Sequence, residues 1–257
     1  MSSMGIEVEA LADLYCRQLK LPEVRSCYRS LAREAQETGK APAAFLAACL
    51  AQELEARREN RLRQRLKKAK FPTVKTLAEF DFTVIPKLPK TKVLALADGG
   101  FVARRENVVC MGPAGTGKSH VGIALGAAAI QAGHKVRFTT AVTLSQELLL
   151  AHQEARLPRY LRSWQSTDLV IIDEIGYIGL GPGAPLLFQF CADRYEKASL
   201  LLTSNLEFGR WTEIFGDPTL TAALLDRLTH HAHILIFDGQ SYRFRQSLEA
   251  QDNSSPN

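Results

Sequence analysis

The sequence predicts an α/β protein: a parallel sheet flanked by helices, preceded by a small all-helical N-terminal domain. Three observations carry this expectation. From Asn107 onward, short apolar runs alternate with helical patterns, the texture of a parallel sheet covered on both faces. A glycine-rich loop follows the first of these runs and opens a helix, a strand–loop–helix unit. Ahead of Phe71-Pro72, apolar residues recur at helical spacing between proline and glycine breaks.

Composition bounds the reading. The chain has 257 residues, 46% hydrophobic and 23% charged, which fits a globular protein and not a disordered or fibrous one. That length suggests two domains, one of them small. No apolar run reaches the ~18 residues of a membrane span. Met1 to Glu9 lacks a basic and then apolar leader pattern, so no signal peptide is expected. Cys16, Cys27, Cys49, Cys110 and Cys191 are odd in number and scattered. They read as reduced thiols of a cytoplasmic protein, without metal-ligand spacing.

Taken in order, Ile6 to Lys20 reads as an amphipathic helix, with Ile6, Ala10, Leu11 and Leu14 on one side. Pro22 opens a second, whose stripe is Val24, Cys27, Tyr28, Leu31, Ala32 and Ala35, and Gly39 stops it. Pro42 lies in the first turn of a third. Phe45, Leu46, Cys49, Leu50 and Leu54 are its expected buried stripe, and Phe71-Pro72 ends it. Residues 1–72 therefore form a helical domain suited to DNA binding or assembly. Residues 73–105, with Pro86 and Pro89, form a connector with a short helix near Lys92 to Asp98. Residues 106–248 form the α/β domain, with strands expected at Val108–Met111, Val136–Thr140, Leu169–Ile172, Leu200–Thr203 and Ile234–Phe237. The polar end, 249–257, reads as a disordered tail.

Charge divides the chain. Residues 1–105 carry a net charge of +8 and residues 106–257 a net charge of −3. The densest run is Arg57, Arg58, Arg61, Arg63, Arg65, Lys67, Lys68 and Lys70, opposed only by Glu59. Like charges this close repel one another, which points to a polyanionic partner; the alternative is a solvated helix face.

Gly112-Pro113-Ala114-Gly115-Thr116-Gly117-Lys118-Ser119 fits the phosphate-loop pattern. Successive backbone N–H groups of such a loop, with the helix N-terminus behind them, hold phosphate oxygens. Lys118 supplies a cation and Ser119 a hydroxyl for Mg²⁺; with His120 they complete the expected nucleotide-binding set. Leu169-Val-Ile-Ile-Asp173-Glu174 places two carboxylates at the end of an apolar strand. Asp173 is placed to hold Mg²⁺ and Glu174 to activate the attacking water. Asn205 ends another strand, either to hold that water or read the γ-phosphate, or merely to form a turn. Arg227 beside Asp226 is either a surface ion pair or a residue reaching a neighbouring subunit's γ-phosphate. His230, His231 and His233 read as helix-end or surface residues, and Trp164 and Trp211 as packing residues.

In this order, the phosphate loop, Asp173-Glu174, Thr203-Ser-Asn205 and Asp226-Arg-Leu228 resemble the AAA+ ATPases. More narrowly, the chain resembles the IstB branch, the helper ATPases of IS21-type insertion sequences. The narrower match rests on Lys67-Lys-Ala-Lys-Phe-Pro72, Lys75–Phe82, Asp173-Glu-Ile-Gly-Tyr177, Leu186-Leu-Phe188, Asp226-Arg-Leu-Thr-His-His231 and Ser241-Tyr-Arg243. The resemblance implies an ATPase that uses ATP and Mg²⁺ and forms a homo-oligomer on double-stranded DNA. It also implies stimulation of a cognate transposase, with no membrane involved. It assigns Arg227 as arginine finger, Asn205 as first sensor and Arg243 as a second-sensor arginine. A helicase loader is the competing identity. A non-hydrolysing adaptor is disfavoured by the presence of both Glu174 and Arg227.

Overall fold

The computed structural model describes residues 3–239 except 178, together with residue 241. Arg243 and the expected tail lie outside the described residues. The chain divides into two compact units, residues 1–64 and 65–257; the boundary expected at residue 72 lies further along the chain.

The first unit contains α1 (Ser3–Gln18), α2 (Pro22–Thr38) and most of α3 (Pro42–Ala69). The stripe read on α2 is its less exposed face, from Val24 to Ala35. The stripe read on α1 is corrected by the structure, and the one read on α3 holds only at Cys49, which is buried, and Phe45, which is half-buried. Leu11 and Leu14 are 46% and 47% exposed, and Leu46, Leu50 and Leu54 are 56%, 43% and 63% exposed. Polar groups set the inward faces instead. On α1, Glu9 and Asp13 pair with Arg29 of α2 at 2.9 and 2.8 Å. On α3, Cys49 and Glu53 are buried, because Glu53 works as a cap. Its carboxylate accepts from the Glu23 and Val24 N–H groups at the start of α2, at 2.9 and 3.3 Å, donors that a helix leaves without partners. Arg57 closes the arrangement on the other carboxylate oxygen, at 2.8 Å.

The second unit opens with the end of α3, where Phe71 packs edge-on to Phe138. The expected connector is folded against the core. It contains two short 3₁₀ turns, α4 (Lys90–Leu96) and α5 (Gly100–Ala103), and it buries Ile85, Leu88, Val93, Leu96, Phe101 and Val102. The sheet and its helices follow as β1 (Asn107–Met111), α6 (Lys118–Gln131), β2 (Val136–Thr140), α7 (Ala141–Gln153), α8 (Leu157–Arg162), β3 (Leu169–Ile175), α9 (Ala184–Arg194), β4 (Ser199–Ser204), α10 (Thr212–Phe215), α11 (Pro218–Thr229) and β5 (Ala232–Ile236). All five strands run parallel in the order β2-β3-β4-β1-β5.

Alternation along the strands sorts the two faces. Ile171, Leu201 and Thr203 meet α6, where Gly122 and Gly126 let that helix approach the sheet closely. Val170, Ile172, Leu200 and Leu202 enter a cluster with α7, α9, α10 and α11, around Trp164 and Trp211. Both tryptophans are buried packing residues, as expected. Each fully buried aliphatic side chain here stabilises the fold by about 1.5–3 kcal/mol. Within the glycine-rich stretch after β3, Gly183 lies directly on the Ser145 side chain of α7, where no Cβ would fit. Asp217 caps α11 by accepting from Thr219 and Leu220 N–H at 2.7 and 2.9 Å.

Glu53→Ala should destabilise the N-terminal helices by about 1–3 kcal/mol, read as a lower urea midpoint in helical circular dichroism. Burial opposes ionisation of Glu53, but Arg57 and the capped N–H groups outweigh it and hold its carboxyl below the usual glutamate range. A depressed pKa contributes stability that is present at neutral pH and lost as pH falls through the folded-state value. Acid should therefore weaken the wild-type helices, and the variant should lack that part of the pH slope.

Candidate nucleotide site

The C-terminal ends of β1, β3 and β4 meet on one edge of the sheet, the edge where open α/β sheets bind ligands. The phosphate loop leaves β1 at Gly112. A Cβ at residue 112 would lie 2.1 Å from the Phe237 carbonyl oxygen, and φ there is 146°, so glycine alone fits between β1 and the end of β5. Thr116 Oγ1 donates to the Pro113 carbonyl at 2.8 Å and braces the loop. Lys118, the first residue of α6, is buried. Its ammonium donates to the Gly112 and Pro113 carbonyls at 2.7 and 2.6 Å, which holds the charge over the loop.

Asp173 and Glu174 sit at a β-bulge. Ile172 pairs with Leu202 and Ile175 with Ser204, so two residues of β3 stand opposite the single Thr203. Glu174 takes a φ of 65°, a left-handed conformation that costs a non-glycine residue about 1–2 kcal/mol. The bulge separates the two carboxylates. Asp173 is buried and accepts from Ser119 Oγ at 2.9 Å. Glu174 is exposed at the sheet edge. Thr203 holds the bulge from β4: its hydroxyl donates to the same Asp173 oxygen and accepts from the Glu174 N–H at 2.9 Å. Asn205 follows β4. Its Oδ1 is buried, and among the described residues it has no hydrogen-bond partner. It lies 2.8 Å from where a Cβ on Gly176 would be, and Gly176 has a φ of 101°. Glycine at 176 thus lets the Asn205 amide lie against the turn that carries the carboxylates.

Other expected residues divide between two settings. His120 turns its Nε2 to the Thr76 carbonyl at 2.9 Å and its ring to Phe80 at 5.4 Å. Phe80 itself lies against Gly117 of the loop. Arg227 donates to the Ala223 carbonyl of its own helix at 3.1 Å and lies over the Phe188 ring. Arg57 is tied to Glu53 and Lys20, and Arg65 to the Gly133 carbonyl. Arg58, Arg61, Arg63, Lys67, Lys68 and Lys70 are exposed. His233 pairs with Glu106 at 2.9 Å, and no metal-holding group of His, Cys, Asp and Glu occurs among the described residues.

Three residues whose role at the site the sequence pattern does not assign contribute to it. Thr203 is a hydroxyl directly after the apolar run Leu200-Leu-Leu202, which is the available signal. Phe237 and Ser241 crowd Gly112 and Gly115, a contact no local pattern announces. Chemically, the edge offers a cradle of N–H groups and an ammonium for a triphosphate. Beside it stands a hydroxyl–carboxylate pair of hard oxygen donors, the type a hydrated divalent cation takes.

The family described as IstB-like ATP binding protein matches residues 15–250. An IS21 insertion-sequence protein of Pseudomonas aeruginosa is 42% identical over 93% of this chain and 90% of its own length. An IS5376 insertion-sequence protein of Geobacillus stearothermophilus is 39% identical over 90% of this chain and 93% of its own. Among solved structures, AMPPCP-bound DnaA from Aquifex aeolicus superposes with a TM-score of 0.55 at 17% identity, over 71% of this chain and 56% of that one. A DNA replication initiation factor gives 0.53 at 18%, over 69% and 54%. This chain spans little more than half of each of those two structures, and they share its fold. With its sheet order, loop and carboxylate pair in place and the match running from residue 15 to residue 250, the chain belongs to the IstB-like ATP-binding proteins, on an AAA+ fold.

Proposed function

We propose that this protein is an ATPase that assembles on duplex DNA, grips it with little base specificity, and stimulates a partner transposase. The observation that carries the reading is the Ser119–Asp173 contact, with Glu174 set apart from it by the bulge. One carboxylate is committed to the phosphate loop, and the other is exposed where an attacking water would enter.

ATP is the substrate. The loop N–H groups of Gly112–Ser119 and the Lys118 ammonium bind its phosphates, and the rings of Phe80 and Phe82 offer an apolar wall for the adenine. Ser119 and Asp173 would hold Mg²⁺, which neutralises charge on the β- and γ-phosphates when bound. Glu174 takes the proton of the attacking water, and the Asn205 amide orients that water. Arg227 of a neighbouring copy stabilises charge developing on the γ-phosphate. ATP then lies between copies and strengthens their contact. Arg243 is proposed as a further nucleotide-sensing arginine.

Residues 1–72 serve DNA and assembly, and residues 106–248 serve the nucleotide. Since Arg57 and Arg65 already have partners within the chain, Arg58, Arg61, Arg63, Lys67, Lys68 and Lys70 supply the charge for phosphate contact. Repeated along an array of subunits, such contacts give steep salt dependence with little sequence preference. The exposed leucines of α1 and α3 supply apolar surface for assembly. The insertion-sequence names of the relatives support a transposase as the partner.

Glu174→Gln should bind ATP as the wild type does and hydrolyse it about 100-fold more slowly or worse, with longer-lived DNA complexes. Unchanged single-turnover hydrolysis would remove Glu174 from this role. Replacing Arg58, Arg61 and Lys68 by alanine should flatten the salt slope of duplex binding by about 3 per chain. A slope equal to wild type in a filter-binding titration would return the arm to a solvated helix face. Strand transfer by the cognate transposase, measured with and without this protein and ATP, tests the partner.

A further inference from the structure

The opposite edge of the sheet, where β1 begins, carries a polar junction that the nucleotide chemistry does not use. Asn107 is the first residue of β1 and is buried, 7% exposed. Its side chain forks. Oδ1 accepts from the Leu200 N–H at the start of β4 at 2.9 Å, and Nδ2 donates to the Leu228 carbonyl of α11 at 3.1 Å. Its backbone N–H donates to the His231 carbonyl, ahead of β5, at 2.7 Å. One residue thus joins two strands to the last turn of α11.

Leu228 O is one of the final carbonyls of a helix, which have no partner within it. The Asn107 amide fills that place. Its neighbours brace the same junction. Glu106 bonds Arg104 and His233, which hold its carboxyl down to about 2. Arg105 donates to the Glu196 carbonyl at 2.7 Å, and the Tyr195 hydroxyl meets His230 Nδ1 at 3.0 Å. The residue immediately before Leu228 is Arg227.

We propose that Asn107 is a positioning residue for Arg227: by pinning the last turn of α11 to β1 and β4, it fixes the backbone from which the Arg227 guanidinium, here turned back on the Ala223 carbonyl and the Phe188 ring, swings out to a neighbouring copy. This rests on the reading of Arg227 as a group that acts across subunits. A side chain on a helix is locked to the backbone beneath it. Without a partner at Leu228 O, the final turn is open to fraying or tightening, and Arg227 moves with it. A displacement near 1 Å at a group that contacts the reacting phosphate lowers turnover about 100-fold. Asparagine suits the position because one planar amide supplies both an acceptor and a donor. Alanine supplies neither, and serine is too short to span both Leu200 N and Leu228 O.

The test compares full-length Asn107→Ala, Asn107→Ser and Arg227→Ala, each alone and mixed with Lys118→Ala on duplex DNA. Lys118→Ala lacks a working phosphate loop but presents an intact Arg227. Both Asn107 variants should bind ATP within about twofold of wild type and lose about tenfold or more in kcat. Mixing with Lys118→Ala should restore hydrolysis, since the variant's own loop then receives a correctly aimed Arg227 from its neighbour. Unchanged kcat, loss of ATP binding together with kcat, failure to fold, or no recovery on mixing would each overturn the inference and leave Asn107 a general structural residue. Arg227→Ala separates the two ideas. If it keeps full kcat, or is not rescued by Lys118→Ala, the reading of Arg227 itself fails. If it loses activity and is rescued while the Asn107 variants behave as wild type, only the positioning role falls.

Discussion

Two adjacent carboxylates on a regular strand point to opposite faces of a sheet, and this protein brings both to one edge. The bulge at Asp173-Glu174 resolves that constraint, and the rest of the site follows from it. Two residues opposite Thr203 turn Asp173 down to Ser119 and leave Glu174 exposed above. The left-handed backbone at Glu174 is unfavourable for glutamate. Thr203 offsets this by bonding both the Asp173 carboxylate and the Glu174 N–H. The strain and the hydroxyl that holds it are parts of one device, as at other functional sites where bulges re-aim side chains.

The loop that faces this bulge is held from behind by chain segments far apart in sequence. Phe237 presses its carbonyl on Gly112, Ser241 lies against Gly115, and Phe80 lies against Gly117. Gly239 in turn packs on Val84 and Ile85. The segment after β5 is therefore layered between the phosphate loop and the segment that precedes the sheet. The missing Cβ at Gly112, Gly115 and Gly117 is what keeps the loop thin enough for this layering.

What was legible in the sequence follows from how local each cause is. The strands lie within one or two residues of their expected ends, except that β3 runs three residues further, through the bulge to Ile175; β1, β3 and β4 are buried along nearly their whole length and read as continuous apolar runs. The phosphate loop is legible because its chemistry lies within eight consecutive residues. Thr203 and Asn107 were not assigned roles, because those roles exist only across the fold. Asn107 bonds groups 93 and 121 residues away. The inward face of α1, and that of α3 apart from Phe45 and Cys49, departs from the apolar stripe for a different reason. An apolar stripe ordinarily faces inward, but here Arg29 pairs with Glu9 and Asp13, and the N-terminus of α2 draws in Glu53.

These polar inward faces bear on how the first unit is stabilised. Among its described residues only Cys49 and Glu53 are buried, while Val8, Leu11, Leu14, Tyr15, Leu19, Leu46, Leu50 and Leu54 remain exposed. Three helices with so little interior hold together through a buried cap and ion pairs, and exposed pairs contribute only about 0–1 kcal/mol each. Leu46, Leu50 and Leu54 recur every four residues and so form one continuous row on α3. Covering such a row yields free energy in proportion to the area removed from water. If copies of the chain supply the cover, folding of this unit and assembly become linked by mass action. The helices that bear the basic arm would then be most firmly ordered when several copies stand together.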